Sequence, residues 1–155
     1  MIAARAARRV VLLVTELASG SQWLATGDQA PLPEPALADG IAVARRTGCS
    51  MKVHGDAADY FLLVMLPPPR LVLVGAVHIA QALIPMARQC GYDVFLVDPR
   101  RAIASASRFP GVQMVHEWPD RAIAAIGPDR HTAVVTLSHD PKLDEPALAT
   151  ALAAQ

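Results

Sequence analysis

Residues 71–98 decide the fold, and they read LVLVGAVHIAQALIPMARQCGYDVFLVD. The short apolar runs at 71–74 and 94–97 are rich in Val, which is typical of strands buried on both faces. Between them, apolar side chains recur at helical spacing from Ile79 to Cys90, which predicts one buried stripe along a helix. Gly91 then stands where a helix favours a left-handed residue after its last turn. The stretch therefore predicts a strand, a helix and a second strand parallel to the first.

The same alternation continues toward the C-terminus. Residues 113–115 and 132–137 are strand candidates, a short helix begins near Trp118 and ends at Gly127, and Asp144 is expected to cap a final helix. We predict an α/β fold for residues 70–155: a Rossmann-like parallel sheet with helices on both faces and a working strand order of 3-2-1-4. Such sheets usually carry five or six strands, so we also expect a domain that is incomplete at its C-terminus or completed by a partner chain.

Residues 1–66 follow a different pattern, which predicts a small α+β N-terminal domain. Its expected elements are strands over 10–17, 22–25, 51–53 and 60–66, a loop over 28–33 and a helix over 34–46. Three consecutive prolines at 67–69 favour a stiff, extended connector between the two domains. The N-terminal domain contains no catalytic motif. The larger aromatic side chains of both domains are interpreted as core: Trp23, Tyr60, Phe61, Phe109 and Trp118.

The composition limits the classes of protein that this chain can represent. It has 155 residues, 14 basic and 14 acidic side chains, and 53% hydrophobic residues. That much apolar material excludes a disordered chain, and zero net charge argues against a dedicated binder of nucleic acid or of an anionic membrane. No apolar run approaches the ~20 residues of a spanning helix. Cys49 and Cys90 form no CxxC pair, which disfavours a disulfide scaffold or a zinc finger and predicts free, buried thiols in a soluble cytoplasmic protein.

Polar residues follow each predicted strand of the second domain. In open parallel sheets, ligands bind beyond the carboxyl ends of the strands, where the strand order reverses. This rule places His78 and His139 on either side of the reversal point, and we expect Gly75, Asp98 and His139 to converge there. The candidate cofactor-binding residues are Gly75, Ala76, Val77, His78, Asp98, Arg100, His139 and Asp140.

The turn at residues 75–80 matches part of the dinucleotide fingerprint GxGxx(G/A). Gly75 and Ala80 fit the pattern, and Asp98 lies 23 residues after Gly75, near the spacing of a ribose-binding acid. Val77 replaces the second glycine, and its branched side chain obstructs the close approach of a pyrophosphate. An oxidoreductase that binds NAD(P) is therefore one hypothesis for this turn, weakened by Val77. Another interpretation is that Gly75 and Asp98 only shape the turn and bind no ligand.

A metal site and a catalytic dyad at the same rim both receive little support from the motifs present. A metal site built from His78, His139 and Asp140 lacks any HxH or HExxH spacing. His139 and Asp140 could be interpreted as a catalytic dyad, but the sequence has no GxSxG nucleophile elbow to accompany them. We assign no catalytic and no metal-binding residue.

Five segments carry a resemblance to a known family: GAVHIAQALIPMA (75–87), GYDVFLVDPR (91–100), SRFPGV (107–112), EWPD (117–120) and TAVVTLSHDPKLDEPAL (132–148). In these segments the chain resembles the XdhC/CoxI family of xanthine dehydrogenase accessory proteins, over about residues 60–152. The family often has GAGH where this chain has GAVH at 75–78. The family also continues with a further strand and a glycine-rich turn followed by arginines, which again suggests a truncated domain here.

The resemblance implies a cofactor-binding chaperone rather than an enzyme with turnover of its own. Such a protein binds the molybdenum cofactor, a molybdopterin, and shields it while its terminal sulfido ligand is installed. It then delivers the cofactor to a molybdenum hydroxylase of the xanthine dehydrogenase or carbon monoxide dehydrogenase type. The implied partners are the apo-hydroxylase and a cysteine desulfurase. An unpaired sheet edge further predicts a homodimer.

Overall fold

The computed structural model describes residues 7–26 and 33–154. The chain divides into two units, residues 1–67 and residues 68–155. The elements of the first unit are β1 (Val11–Glu16), β2 (Gln22–Ala25), α1 (Ala36–Thr47), β3 (Met51–His54) and β4 (Asp59–Met65). The loop predicted over residues 28–33 lies outside the described residues as far as residue 32.

The first unit is an antiparallel sheet of order β2-β1-β4-β3 with α1 packed on one face. Alternate residues of β1 and β4 point to the helix, so Leu12, Val14 and Leu62 are fully buried. The helix approaches the sheet closely, because a Cβ at Gly40 would lie 2.5 Å from a methyl group of Val53. This arrangement confirms the predicted α+β character.

A buried acid holds the turn between β3 and β4. Glu34 is 8% exposed, and its carboxylate accepts hydrogen bonds from the hydroxyl of Tyr60 at 2.8 Å and from the amides of Asp56 and Ala57. The hydrogen bond from Tyr60 lowers the pKa of Glu34, and the same bond raises the pKa of Tyr60 to about 12. These bonds tie Glu34, just before α1, to the β3–β4 turn and to Tyr60 of β4.

The second unit is a parallel sheet with helices on both faces, which confirms the predicted Rossmann-like architecture. Its strand order is β7-β6-β5-β8, which is the expected order 3-2-1-4. Its elements are β5 (Arg70–Val74), α2 (His78–Gln89), β6 (Asp93–Val97), β7 (Gln113–Val115), α3 (Pro119–Ile126), β8 (Thr132–Thr136) and α4 (Pro141–Ala153).

Every residue of the inner strand β5 is buried, and its side chains pack into two separate hydrophobic cores, one on each face of the sheet. Leu71 and Leu73 pack with α2 on one face, together with Phe109. Val72 and Val74 pack with α3 and α4 on the other face. Burial on both faces explains why this strand has no polar alternation in its sequence. Gly91 has the left-handed backbone predicted for it, with φ of 83°.

Several predictions about single side chains are wrong. Phe61 is 39% exposed, because Tyr60 and Leu62 on either side take the buried face of β4. Trp118 is 49% exposed, since it precedes the first turn of α3 rather than facing the core. Cys49 and Cys90 are both free, as predicted, but they are exposed rather than buried.

Within residues 7–26 and 33–154, every helix is too short or too polar to cross a bilayer.

Candidate functional site

The turn between β5 and α2 depends on the glycine at its start. Gly75 has φ of 108°, a conformation that side chains with a Cβ rarely adopt. A Cβ at this position would also lie 2.9 Å from the backbone nitrogen of Ser138. Gly75 therefore allows the β5–α2 turn to touch the loop that follows β8. The two segments that flank the reversal of strand order are in direct contact.

The carboxylate of Asp98 holds this turn from the end of β6. Asp98 is fully buried, and its Oδ2 accepts a hydrogen bond of 2.8 Å from the amide of Ala76. Its Oδ1 accepts bonds of 2.9 Å from both the amide and Nε of Arg100, and Arg100 Nη2 reaches Oδ2 at 2.8 Å. Burial alone would raise the pKa of Asp98, but the hydrogen bonds from Arg100 and Ala76 outweigh it and lower the pKa. Asp98 is therefore ionised at neutral pH.

Arg108 was not among the predicted site residues, yet it contacts the same turn. Its Nη1 donates to the carbonyl oxygen of Ala76 at 3.1 Å and to that of Ile103 at 2.7 Å. The peptide groups of Ala76 are thus held on both sides, by Asp98 at the amide and by Arg108 at the carbonyl. Arg108 lies in SRFPGV, a segment that carries only the family resemblance, and its contact with Ala76 spans 32 residues, so no local pattern predicts it.

The loop after β8 is built around a strained histidine. His139 is exposed and has φ of 58°, which is a left-handed backbone conformation. This conformation costs a non-glycine residue about 1 kcal/mol or more of conformational free energy. On one side, Ser138 Oγ donates to Asp144 Oδ1 at 2.6 Å. On the other side, Asp140 accepts a bond of 3.0 Å from the amide of Lys142. These two contacts fix the loop and leave the His139 ring at the surface.

Asp140, not Asp144, caps the final helix, which corrects the prediction. Helix α4 begins at Pro141, and the Asp140 side chain accepts from the Lys142 amide in the usual manner of an N-cap residue. Asp144 lies in the first turn and bonds to Ser138 instead. Both residues are acidic and lie about one helical turn apart, so the sequence alone could not decide which one begins the helix.

The start of α2 is open to an anion. The residue before it, Val77, has extended backbone angles and makes no side-chain hydrogen bond to cap the helix. The first turn contains no acidic residue, and His78 and Ile79 are exposed. The first amides of a helix lack partners within the helix and carry its positive end. The Ala80 amide already donates to the carbonyl oxygen of Val77 at 3.1 Å, so an anionic group placed here would meet the amides of His78 and Ile79.

The structure brings all eight predicted site residues to one rim. Gly75, Ala76, Asp98 and Arg100 form one network, and Val77 and His78 continue directly from it. The contact between Gly75 and Ser138 places His139 and Asp140 beside the same turn. Asp98 takes part in this arrangement through contacts within the chain, and ligand binding by these residues stays a prediction. His116 lies at the same rim, with its Nδ1 3.3 Å from the carbonyl oxygen of Asp98.

The donor set of this rim favours binding of an anion with polar edges. Two exposed imidazoles, one fixed guanidinium and the open start of α2 all offer hydrogen-bond donors. In the part of the chain that the structure describes, no group of three or more His, Cys, Asp or Glu side chains could hold a metal ion.

The fold defines a Rossmann-like domain whose rim lies at the reversal point of its strand order, where open parallel sheets usually bind ligands. Residues 71–155 match the model of a family described as the XdhC Rossmann domain. The match covers more than half of the chain, and the chain belongs to the XdhC family. Among curated proteins, none matches this sequence.

A solved structure supports the same fold. A crystal structure from Bacillus halodurans, described as that of a xanthine dehydrogenase, aligns with a TM-score of 0.67 at 15% sequence identity. The alignment covers 94% of this chain and 43% of that chain. The present chain therefore spans less than half the length of that relative, and the likeness concerns the fold.

Proposed function

We propose that the protein is a maturation factor that carries the molybdenum cofactor to a molybdenum hydroxylase. In this proposal it binds the cofactor, holds it during sulfuration and delivers it to an apo-enzyme of the xanthine dehydrogenase or carbon monoxide dehydrogenase type. The observation that carries the proposal is the match of residues 71–155 to the XdhC Rossmann domain. The apo-hydroxylase and a cysteine desulfurase are the proposed partners, and the cytoplasm is the proposed location.

The rim residues fit the chemistry of a molybdopterin. Its phosphate suits the open start of α2, where the amides near Val77 and His78 are not capped by a side chain. Its pterin edge carries hydrogen-bond donors and acceptors, which suit the exposed His139 and the neighbouring Asp140. When bound, the cofactor supplies the molybdenum that bears the sulfido ligand. The residues of this chain bind and orient it.

Asp98 and Arg100 have different parts in this proposal. Both oxygens of Asp98 already accept hydrogen bonds from Ala76 and Arg100, so Asp98 acts as a positioning residue. Arg100 is 40% exposed, and its contact with Asp98 fixes the guanidinium plane at the rim. A fixed guanidinium loses little conformational entropy when it binds an anion. Arg100 is therefore proposed to contact the ligand directly.

The exposure of the rim supports a carrier more than an enzyme. His78, Arg100 and His139 are all exposed, so a ligand bound to them stays open to solvent on one side. Catalysis usually needs a site from which water is excluded, whereas transfer to a partner needs a ligand that the partner can reach. A nucleotide-dependent oxidoreductase would also need the Asp98 carboxylate for the ribose, and its oxygens are engaged within the chain.

We also propose that the protein forms a homodimer through the edge of its parallel sheet. Strand β8 pairs with β5 on one side, and the described residues contribute no strand to its other side. Leu148 and Leu152 on α4 are exposed near this edge, at 43% and 67%. Pairing of two β8 strands about a twofold axis would cover both the edge and these side chains. Light scattering tests this proposal, and a monomer at high protein concentration would contradict it.

The function is tested by activation of an apo-enzyme. An apo-xanthine dehydrogenase is incubated with molybdopterin, a cysteine desulfurase and this protein, and its hydroxylase activity is followed. The wild-type protein is expected to increase the yield of active enzyme, and His139→Ala is expected to reduce that effect. His54→Ala, in the first unit, is the matched control. Equal activation with and without the protein would reject the proposal.

A further inference from the structure

A second candidate site lies away from the rim, between α2 and the segment 108–112. The two segments enclose a hollow of about 380 Å³, within the size range of small-molecule sites. Its apolar lining is Ile84, Pro85, Phe109, Pro110 and Val112. Ile84 and Phe109 are buried, at 4% and 2% exposure, so the accessible apolar wall is formed by Pro85, Pro110 and Val112. The segment is part of the SRFPGV motif, whose residues after Arg108 have no part in the proposed function.

Two arginines stand at this hollow, and both are held in place. Arg88 donates through Nη2 to the carbonyl oxygen of Gly111. Arg108 donates to the carbonyl oxygens of Ala76 and Ile103, and its guanidinium carbon lies 5.2 Å from the centre of the Phe109 ring. The orientation of both guanidinium groups is thus set before any ligand arrives.

The charges of these two arginines are not balanced by carboxylates. Arg100 is paired with Asp98 and Arg70 with Asp129, but within residues 7–26 and 33–154 neither Arg88 nor Arg108 forms an ion pair. Carbonyl oxygens satisfy some of their donors without neutralising the charge. Two positive charges beside apolar walls attract an anion more strongly than they would in open water.

We infer that this hollow binds a small organic anion that has a carboxylate head and a flat, apolar body. The carboxylate is recognised by Arg88 and Arg108, and the body packs against Pro85, Pro110 and Val112. An inorganic anion would leave these three side chains in water, and a neutral ring would leave both charges unpaired. The two requirements together define an arylcarboxylate-like ligand. This inference does not depend on cofactor binding at the rim.

The test uses benzoate as the anion and benzamide as a neutral molecule of the same shape. Two-dimensional amide spectra of the whole protein are recorded during titration with each compound and with inorganic phosphate. Benzoate is expected to cause saturable shifts within residues 81–88 and 108–112. Benzamide and phosphate are expected to bind about tenfold more weakly or worse, because each lacks one of the two requirements.

Variants distinguish recognition of the carboxylate by Arg88 from non-specific binding of benzoate. Arg88→Gln is expected to weaken benzoate binding about tenfold. Arg121→Gln removes an equivalent charge from the exposed surface of α3, and it is expected to bind benzoate like the wild type. Because Arg108 also holds the β5–α2 turn, Arg108→Gln is interpreted only if its amide spectrum stays dispersed.

Four results would overturn the inference. One is the lack of saturable shifts at about 20 mM benzoate, well above the Kd that a ligand of this size can reach. Another is equal binding of benzamide, or unchanged benzoate binding by Arg88→Gln. The fourth is a set of shifts confined to residues 75–78 and 138–140, which would place the anion at the rim. None of these results bears on molybdopterin binding, which is measured separately.

Discussion

The buried carboxylate of Asp98 accepts a 2.8 Å hydrogen bond from the amide of Ala76, and this contact ties the end of β6 to the turn that follows β5. The same carboxylate fixes Arg100, and Arg108 holds the carbonyl of Ala76 from the other side. The shape of the rim thus depends on one acid that no ligand needs to touch.

Asp98→Asn is expected to lower the free energy of unfolding by about 2 kcal/mol, because the charged hydrogen bonds to Arg100 and Ala76 are weakened at a buried position. Urea denaturation measures this change. Asp120→Asn replaces an exposed acid in the first turn of α3 and serves as the control. A loss no larger than that of the control would show that the Asp98 network adds little stability.

The contribution of Asp98 should depend on pH in a defined direction. Its pKa is lowered in the folded state, so its stabilisation is complete above the unfolded pKa of about 3.9 and disappears as pH falls through the folded value. The difference in unfolding free energy between the wild type and Asp98→Asn should therefore shrink below about pH 4. Glu34 and Asp59 also have lowered pKa values, but they are present in both proteins, so their contributions cancel in this difference. A difference that is constant from pH 7 to the acid limit would contradict this assignment.

Gly75→Ala is expected to destabilise the second unit by more than Gly91→Ala. Both glycines have positive φ, but a Cβ at Gly91 meets no atom within 4 Å, whereas one at Gly75 meets the backbone of Ser138. The strained backbone alone is worth about 1 kcal/mol in each variant, and the contact adds to it only at Gly75. Thermal unfolding compares the two. Equal losses would mean that the two rim loops are not packed as described.

Glu34→Gln should weaken the hydrogen bond that the Tyr60 hydroxyl donates, because an amide oxygen replaces a charged carboxylate. The hydrogen bond with Glu34 raises the pKa of Tyr60 to about 12, so the variant should shift that pKa back toward 10. Absorbance titration in a Tyr92→Phe background follows Tyr60 alone. A raised folded pKa also means that the stabilising effect is present below about pH 10 and is lost as pH rises toward the folded value. A Tyr60 titration unaffected by Glu34→Gln would contradict the contact.

The sequence allowed much of the fold to be predicted because its signals are local. Apolar Val-rich runs mark β5 and β6, and the helical stripe from Ile79 marks α2. The residues at the ends of these elements then follow from the rule for parallel sheets. All eight predicted site residues accordingly lie at one rim.

The rest could not be predicted, because it depends on contacts between distant residues. The bond from Arg108 to Ala76 and the approach of Gly75 to Ser138 arise only when the strands are assembled. Asp140 rather than Asp144 caps the start of α4. The Asp144 carboxylate instead accepts a hydrogen bond from the hydroxyl of Ser138. Trp118 is apolar but begins a helix at the surface, so composition alone misplaces it.

The central claim, that the rim carries molybdopterin, is tested most directly by the pterin content of the protein purified from a molybdenum-replete host. Mass spectrometry and absorbance should identify molybdopterin bound to the wild type. The double variant His78→Ala, His139→Ala should lose it while keeping its circular dichroism spectrum. A wild-type protein that carries no pterin from such a host, and binds none when molybdopterin is added, would contradict the account.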